Sequence, residues 1–264
     1  MTRTSILLLA AFALSALAGC HDAAGGAGPA AATTTDRTRT TAADAAVDGY
    51  VTGTVVDTQG RPIAGAKILL DGTILHDSYL RGTTGEDGTY RIKAQPGAWM
   101  AYAEFEHAYN GRTYPLDLHP ESTDSLDDDG GVRNFSWKLE GRHPENEYGY
   151  YGGFILVDTT TDFEDDIQDV ELTLTPDGPL IDGSGGKTLR LRMHDHYWVQ
   201  YGHIEDVPIG RYTVTAVLDN NGTPRPLRIA TRNGNGDFMT QYPLEFLPRS
   251  RERARNSTEI IIGY

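Results

Sequence analysis

From Val51 onward, apolar and polar residues alternate over short runs bounded by glycine, proline and aspartate. Val51, Gly53 and Val55 share one face of the first run, and Thr52, Thr54 and Val56 share the other. A turn at Thr58-Gln59-Gly60 ends it, and Pro62, Gly65 and Ala66 lead into Lys67-Ile68-Leu69-Leu70. A second turn, Glu86-Asp87-Gly88, launches Thr89-Tyr90-Arg91-Ile92. A period of two with turn residues at both ends is the signature of half-buried strands. Residues 98–105 and 114–118 read as further strands. Residues 132–139 close the series after an acidic loop that contains Asp124, Asp127, Asp128 and Asp129. The predicted fold is all-β, with two small antiparallel β-sandwich domains at residues 48–140 and 151–264. A polar linker, residues 141–150, joins them through Pro144.

The second half carries the same pattern. Val170, Leu172 and Leu174 alternate with Glu171 and Thr173, and Tyr212, Val214 and Ala216 with Thr213 and Thr215. Several stretches echo the first half. Gly153-Phe154-Ile155-Leu156-Val157-Asp158 matches Gly53-Thr54-Val55-Val56-Asp57 with one extra residue. Val207-Pro208-Ile209-Gly210 stands where Gln95-Pro96-Gly97 stands in the first half. Asn110-Gly111 with Pro115 returns as Asn221-Gly222 with Pro226, and residues 258–262 form a late strand like 132–139. The expectation is a degenerate tandem repeat.

The motifs GTVVDTQGRPIAGAKI, TTGEDGTYRI and QPGAW, within residues 48–140, resemble the carboxypeptidase regulatory-like domain of the transthyretin-like and immunoglobulin-like sandwiches. The resemblance implies a non-catalytic companion module of secreted and membrane-associated proteins, with some relatives among carbohydrate-binding-like folds. Intradiol ring-cleaving dioxygenases share similar turn patterns, and the resemblance would require an H-x-H iron motif just after Pro96-Gly97. Here His107 stands alone, with Phe105 two positions before it. No HxxE, HExxH or G-x-S-x-G motif occurs in the chain.

Upstream of the strands the character changes. Arg3 precedes an apolar stretch at residues 6–17, which ends in Leu17-Ala18-Gly19-Cys20. This resembles a bacterial lipobox, so residues 1–19 are read as a lipoprotein signal peptide and Cys20 as the residue that carries the acyl chains, palmitate among them. Cys20 is the only cysteine in 264 residues, so an internal disulfide is impossible. Residues 20–47 are small, polar and rich in Gly, Ala and Thr, which makes a flexible tether. The expected location is the bacterial cell envelope, at the outer membrane or cell surface, with the membrane itself a partner through the lipid anchor.

Net charge and side-chain chemistry narrow the remaining roles. A formal charge of −14 repels nucleic acid and argues against it as a partner. Arg249, Arg251, Arg253 and Arg255 form one local basic run, read as a solvated loop. No cofactor is expected. The acids Asp162, Glu164, Asp165, Asp166 and Asp169 are the material of a Ca²⁺ loop, although they lack EF-hand spacing. His194 and His196 fall on one strand face about 6.5–7 Å apart, and with His203 they could ligate a transition metal, the basis of a metal-dependent enzyme reading. Tyr197, Trp198, Tyr201 and Trp99 offer flat rings for stacking on sugars, the basis of a carbohydrate-binding reading. The leading expectation is a lipid-anchored, non-catalytic envelope protein whose β-sandwich modules meet a protein or a polysaccharide.

Overall fold

The first long strand of the chain, β1 (Tyr50–Val56), is buried along most of its length, and its burial pattern follows from the alternation of valine with threonine and glycine. The computed structural model describes residues 46–74, 77–144, 149–193, 202–220, 222–232, 236–248 and 256–264. These fall within one compact unit, Thr40–Tyr264. The described residues are all-β apart from a short 3₁₀ turn at Ile167–Asp169.

The first half contributes β1, β2 (Lys67–Gly72), β3 (Tyr79–Thr83), β4 (Thr89–Lys93), β5 (Trp99–Tyr109) and β6 (Arg112–Asp117). Three short strands follow, β7 (His119–Pro120), β8 (Gly130–Val132) and β9 (Phe135–Ser136). One sheet runs β3-β2-β5-β6, all antiparallel. A second sheet runs β4-β1-β9-β7, with β8 also on β1. The second half contributes β10 (Gly153–Thr159), β11 (Val170–Pro176), β12 (Leu189–Arg192), β13 (His203–Val207) and β14 (Arg211–Asn220). It ends with β15 (Thr223–Thr231), β16 (Tyr242–Glu245) and β17 (Ser257–Gly263). These eight form one sheet in the order β12-β11-β14-β15-β17-β10-β13, with β16 also on β14.

The two halves share a strand order. The run β3-β2-β5-β6 corresponds to β12-β11-β14-β15, and β4-β1-β9 corresponds to β13-β10-β17. Gly53 lies in β1 and Gly153 in β10, each the opening strand of its half. Asn110-Gly111 turns β5 into β6 with φ of 48° and 74°, the left-handed geometry of a tight hairpin. At the corresponding place, Gly222, with φ of 75°, lies between β14 and β15.

The sheets are not purely antiparallel, which corrects the expected pattern. β1 runs parallel to β8 and β9, and β10 runs parallel to β17 through six residue pairs from Phe154↔Ser257 to Thr159↔Ile262. In each half, then, the first strand lies beside the last. Turn residues report local reversals, whereas a parallel pair is closed by most of a half's length and leaves no mark at either strand. The strand expected at residues 132–139 is broken into β8 and β9, because Arg133 turns inward between them.

One continuous apolar core includes residues of both halves, with Val55, Leu70 and Phe135 from the first and Leu172, Val214 and Ile260 from the second. Complete burial of one such side chain contributes about 1.5–3 kcal/mol relative to exposure. Strand pairing stays within each half, but hydrogen bonds cross between them. Tyr114 Oη donates to Phe246 O at 2.8 Å, Tyr109 Oη to Pro179 O at 2.8 Å, and Thr58 Oγ1 to Asp182 Oδ2 at 2.8 Å.

Candidate functional site

Trp99 opens β5 pointing inward, and the alternation of that strand fixes its side. Only 3% of its surface is exposed, and its indole N–H donates to Gln95 O at 2.9 Å. A ring held in this way offers no face to a sugar, so Trp99 is a core residue and not a ligand platform. Tyr212 behaves similarly at the start of β14, with 2% exposure and its hydroxyl donating to Pro208 O at 2.6 Å. Burial pushes the Tyr212 hydroxyl well above the usual tyrosine range. Tyr197, Trp198 and Tyr201 lie outside the described residues, as do His194, His196, the basic run 249–255, Cys20, Leu17, Ala18 and Gly19.

Among the described residues, no group of three or more His, Asp or Glu side chains is arranged to hold a metal ion. The acids of the second cluster are spread around the 3₁₀ turn. Asp162, Glu164, Asp166 and Asp169 are exposed. Asp166 caps the turn, its carboxylate accepting from Gln168 N at 2.9 Å. Asp165 instead faces the C-terminus, where it accepts from Arg225 and from Tyr264 Oη, each at 2.5 Å. Arg225 lies 4.0 Å over the Tyr264 ring, and Phe163 stacks on the same ring at 5.2 Å. Asp165, Arg225 and Tyr264 thus form one tie beside the 3₁₀ turn. The first acidic loop is shaped by local bonds, with Asp124 accepting from Ser122 Oγ and Asp127 from Asp129 N. Beneath it the buried Arg133 guanidinium donates to Ser122 O and to Asp124 O. His203 sits on β13 with its ring 4.8 Å from Phe154. Burial, with Arg232 adding to it, holds its imidazole below the ordinary range.

The densest polar chemistry gathers where the linker crosses the start of β10. Asp206, held at φ 61°, accepts from Gly141 N at 2.8 Å and from Gly152 N at 3.2 Å, so one carboxylate grips both ends of the linker. Its neighbour Glu205 has its acidity weakened by burial, while Arg142 and the Tyr150 hydroxyl act against that shift. Tyr151, 7% exposed, is hydrogen-bonded to His119 Nδ1 at 3.0 Å, and its ring packs 4.1 Å from that of His143. Burial, followed by the nearby charges of Lys138 and His143, lowers the basicity of His119. Asn256, 4% exposed with φ 54°, donates through Nδ2 to Pro115 O at 3.0 Å. Pro115, Asp117, His143, Tyr150, Tyr151 and Asn256 line a small, partly open cavity of about 20 Å³. None of these stands out in the sequence, where the linker reads as polar spacer and Asn256 as the end of a basic loop.

No family model matches the chain, and no curated protein matches it. Among solved structures it is similar to the Bacillus anthracis TIE protein, at 8% identity and a TM-score of 0.30, over 81% of this chain and 33% of that one. The chain thus spans about a third of that protein's length. It is also similar to a Streptococcal ancillary pilin, at 9% identity and a TM-score of 0.26, over 81% of this chain and 68% of that one. The shaft pilin spaA from Lactobacillus rhamnosus GG aligns at 12% identity and a TM-score of 0.22, over 82% of this chain and 98% of that one.

Proposed function

We propose that this chain is a lipid-anchored, non-catalytic cell-envelope protein that presents two β-sandwich modules, the first of carboxypeptidase regulatory-like type, to a protein or polysaccharide partner. The observation that carries the reading is the order of its parts. Leu17-Ala18-Gly19-Cys20 ends an apolar leader, a polar run follows, and the first described strand begins at Tyr50. A polar coil of about 25 residues spans on the order of 30 Å, enough to lift a folded body clear of lipid headgroups. Each buried CH₂ of an attached acyl chain contributes about 0.8 kcal/mol, so several chains on Cys20 give a durable anchor.

The interior chemistry supports a presenting role. The strongly shifted tyrosines, Tyr90 and Tyr212, spend their hydroxyls on backbone carbonyls of the core. The one described member of the histidine trio, His203, packs against Phe154, and of the five acids Asp166 caps a turn and Asp165 ties down the C-terminus.

The test is to express the full chain and its Cys20→Ser variant in a bacterial host fed a labelled fatty acid, followed by membrane fractionation. The wild type takes up label and sediments with membranes, and the variant loses both properties. Label retained in the variant, or a wild type that never takes it up, overturns the anchor.

A further inference from the structure

The cavity between the linker and the β6 edge carries an inference independent of anchoring. Two of the residues that line it, His143 and Asn256, each carry a buried polar atom with no hydrogen-bond partner among the described residues, His143 Nε2 and Asn256 Oδ1. The orientation of the Asn256 amide is set by its other end, since Nδ2 donates to Pro115 O at 3.0 Å. Oδ1 is therefore a lone acceptor in a side chain that is 4% exposed. The His143 ring is held against Tyr151 at 4.1 Å, and the Tyr151 hydroxyl is already engaged by His119. A buried polar atom left without a partner is strongly disfavoured, and native structures meet such atoms with ordered water where space allows. The water-sized space there is about 20 Å³, above the roughly 10–15 Å³ one water requires.

We propose that this cavity is a binding site for one internal water molecule, which joins the linker to the second half by bridging His143 Nε2 and Asn256 Oδ1. Water fits both atoms. It donates one proton to Asn256 Oδ1, and at His143 it either donates to a bare Nε2 or accepts from an Nε2–H, so the bridge survives either tautomer. A bare cation would suit the amide oxygen but would be repelled by a protonated imidazole, and two protein ligands are few for a metal.

Two measurements test this on the full-length protein. A crystal structure at about 1.5 Å should show one water-sized peak within hydrogen-bonding distance of both atoms. An empty cavity, or an anomalous peak from a metal, overturns the proposal. His143→Phe keeps a ring against Tyr151 and deletes Nε2. With the water in place the substitution removes a satisfied bond, and the thermal midpoint falls by roughly 2–4 °C. With a dry cavity the same substitution removes an unsatisfied polar atom, so a midpoint that stays level or rises overturns the proposal.

Discussion

Gly53 and Gly153 lie in the opening strands of their halves, and replacing each with alanine should damage its half of the fold by crowding the added Cβ. A Cβ at Gly53 would lie 2.0 Å from Arg133 O and 2.9 Å from the Tyr90 ring. The carbonyl cannot swing away cheaply. Arg133 N donates to Thr52 O at 2.8 Å, and Arg133 O accepts from Tyr90 Oη at 2.6 Å. Relief requires β1 to part from the segment between β8 and β9. Overpacking a filled core costs about 1–3 kcal/mol, and losing the buried Tyr90 bond adds about 1–1.5 kcal/mol. The expected loss for Gly53→Ala is therefore about 2–4.5 kcal/mol. At Gly153 the nearest obstacle is the Phe246 ring at 2.5 Å, with Asn256 O at 3.0 Å. That ring is 1% exposed and has no room to turn, but no hydrogen bond to it is lost, so Gly153→Ala should cost about 2–3 kcal/mol.

Urea unfolding followed by tryptophan fluorescence measures both losses, since Trp99 and Trp137 are buried. The control is Gly60→Ala. Gly60 has a positive φ, 77°, unlike Gly53 and Gly153, and nothing lies within 4 Å of its added Cβ. Its cost should be backbone strain alone, about 1 kcal/mol. If Gly53→Ala proves no more damaging than Gly60→Ala, the close approach of β1 to Arg133 is wrong.

Other perturbations probe the contact between the halves and its response to acid. Tyr114→Phe leaves the buried Phe246 carbonyl without its donor and should cost about 1–3 kcal/mol in urea unfolding; an unchanged midpoint would remove that bond from the description. His119 and His203 are held below their ordinary value of 6.5, chiefly by burial. The folded state therefore takes up these protons less readily than the unfolded chain, and their contribution, complete above pH 6.5, is lost as the pH falls towards their folded values. The urea midpoint should drop between pH 7.5 and about 5.5, and a His119→Gln/His203→Gln double variant should flatten that slope. Glu205, raised by burial, acts in the opposite sense, so the comparison with the double variant isolates the imidazole part.

The strands were legible where chemistry repeats over short distances. Val170, Leu172 and Leu174 announce β11 because a sheet with one buried face must alternate, and Asn110-Gly111 announces its hairpin because the turn demands left-handed residues. Parallel closure of each half was not legible, since the pairing of Val55 with Phe135 joins residues far apart in the chain. Trp99 was misplaced for a related reason: an aromatic at a strand entrance reads the same whether it faces solvent or the carbonyl four residues behind it. The linker contacts were hidden because Asp206 acts through a backbone twist, with φ 61°, that no pattern of side chains announces.

The matching strand orders give the junction a physical meaning. Where the halves correspond, each satisfies its own backbone by the same pairings, so neither needs the other for its ladders. The residues that join them have no counterpart in that correspondence. Tyr114 reaches Phe246 and Asn256 reaches Pro115, while Asp206 draws in Gly141 and Gly152. These are single polar bonds, each contributing about 1 kcal/mol net, added to the apolar core that the two halves share. Directional bonds on a shared core fix the angle between the halves, which a flexible linker between them would not do.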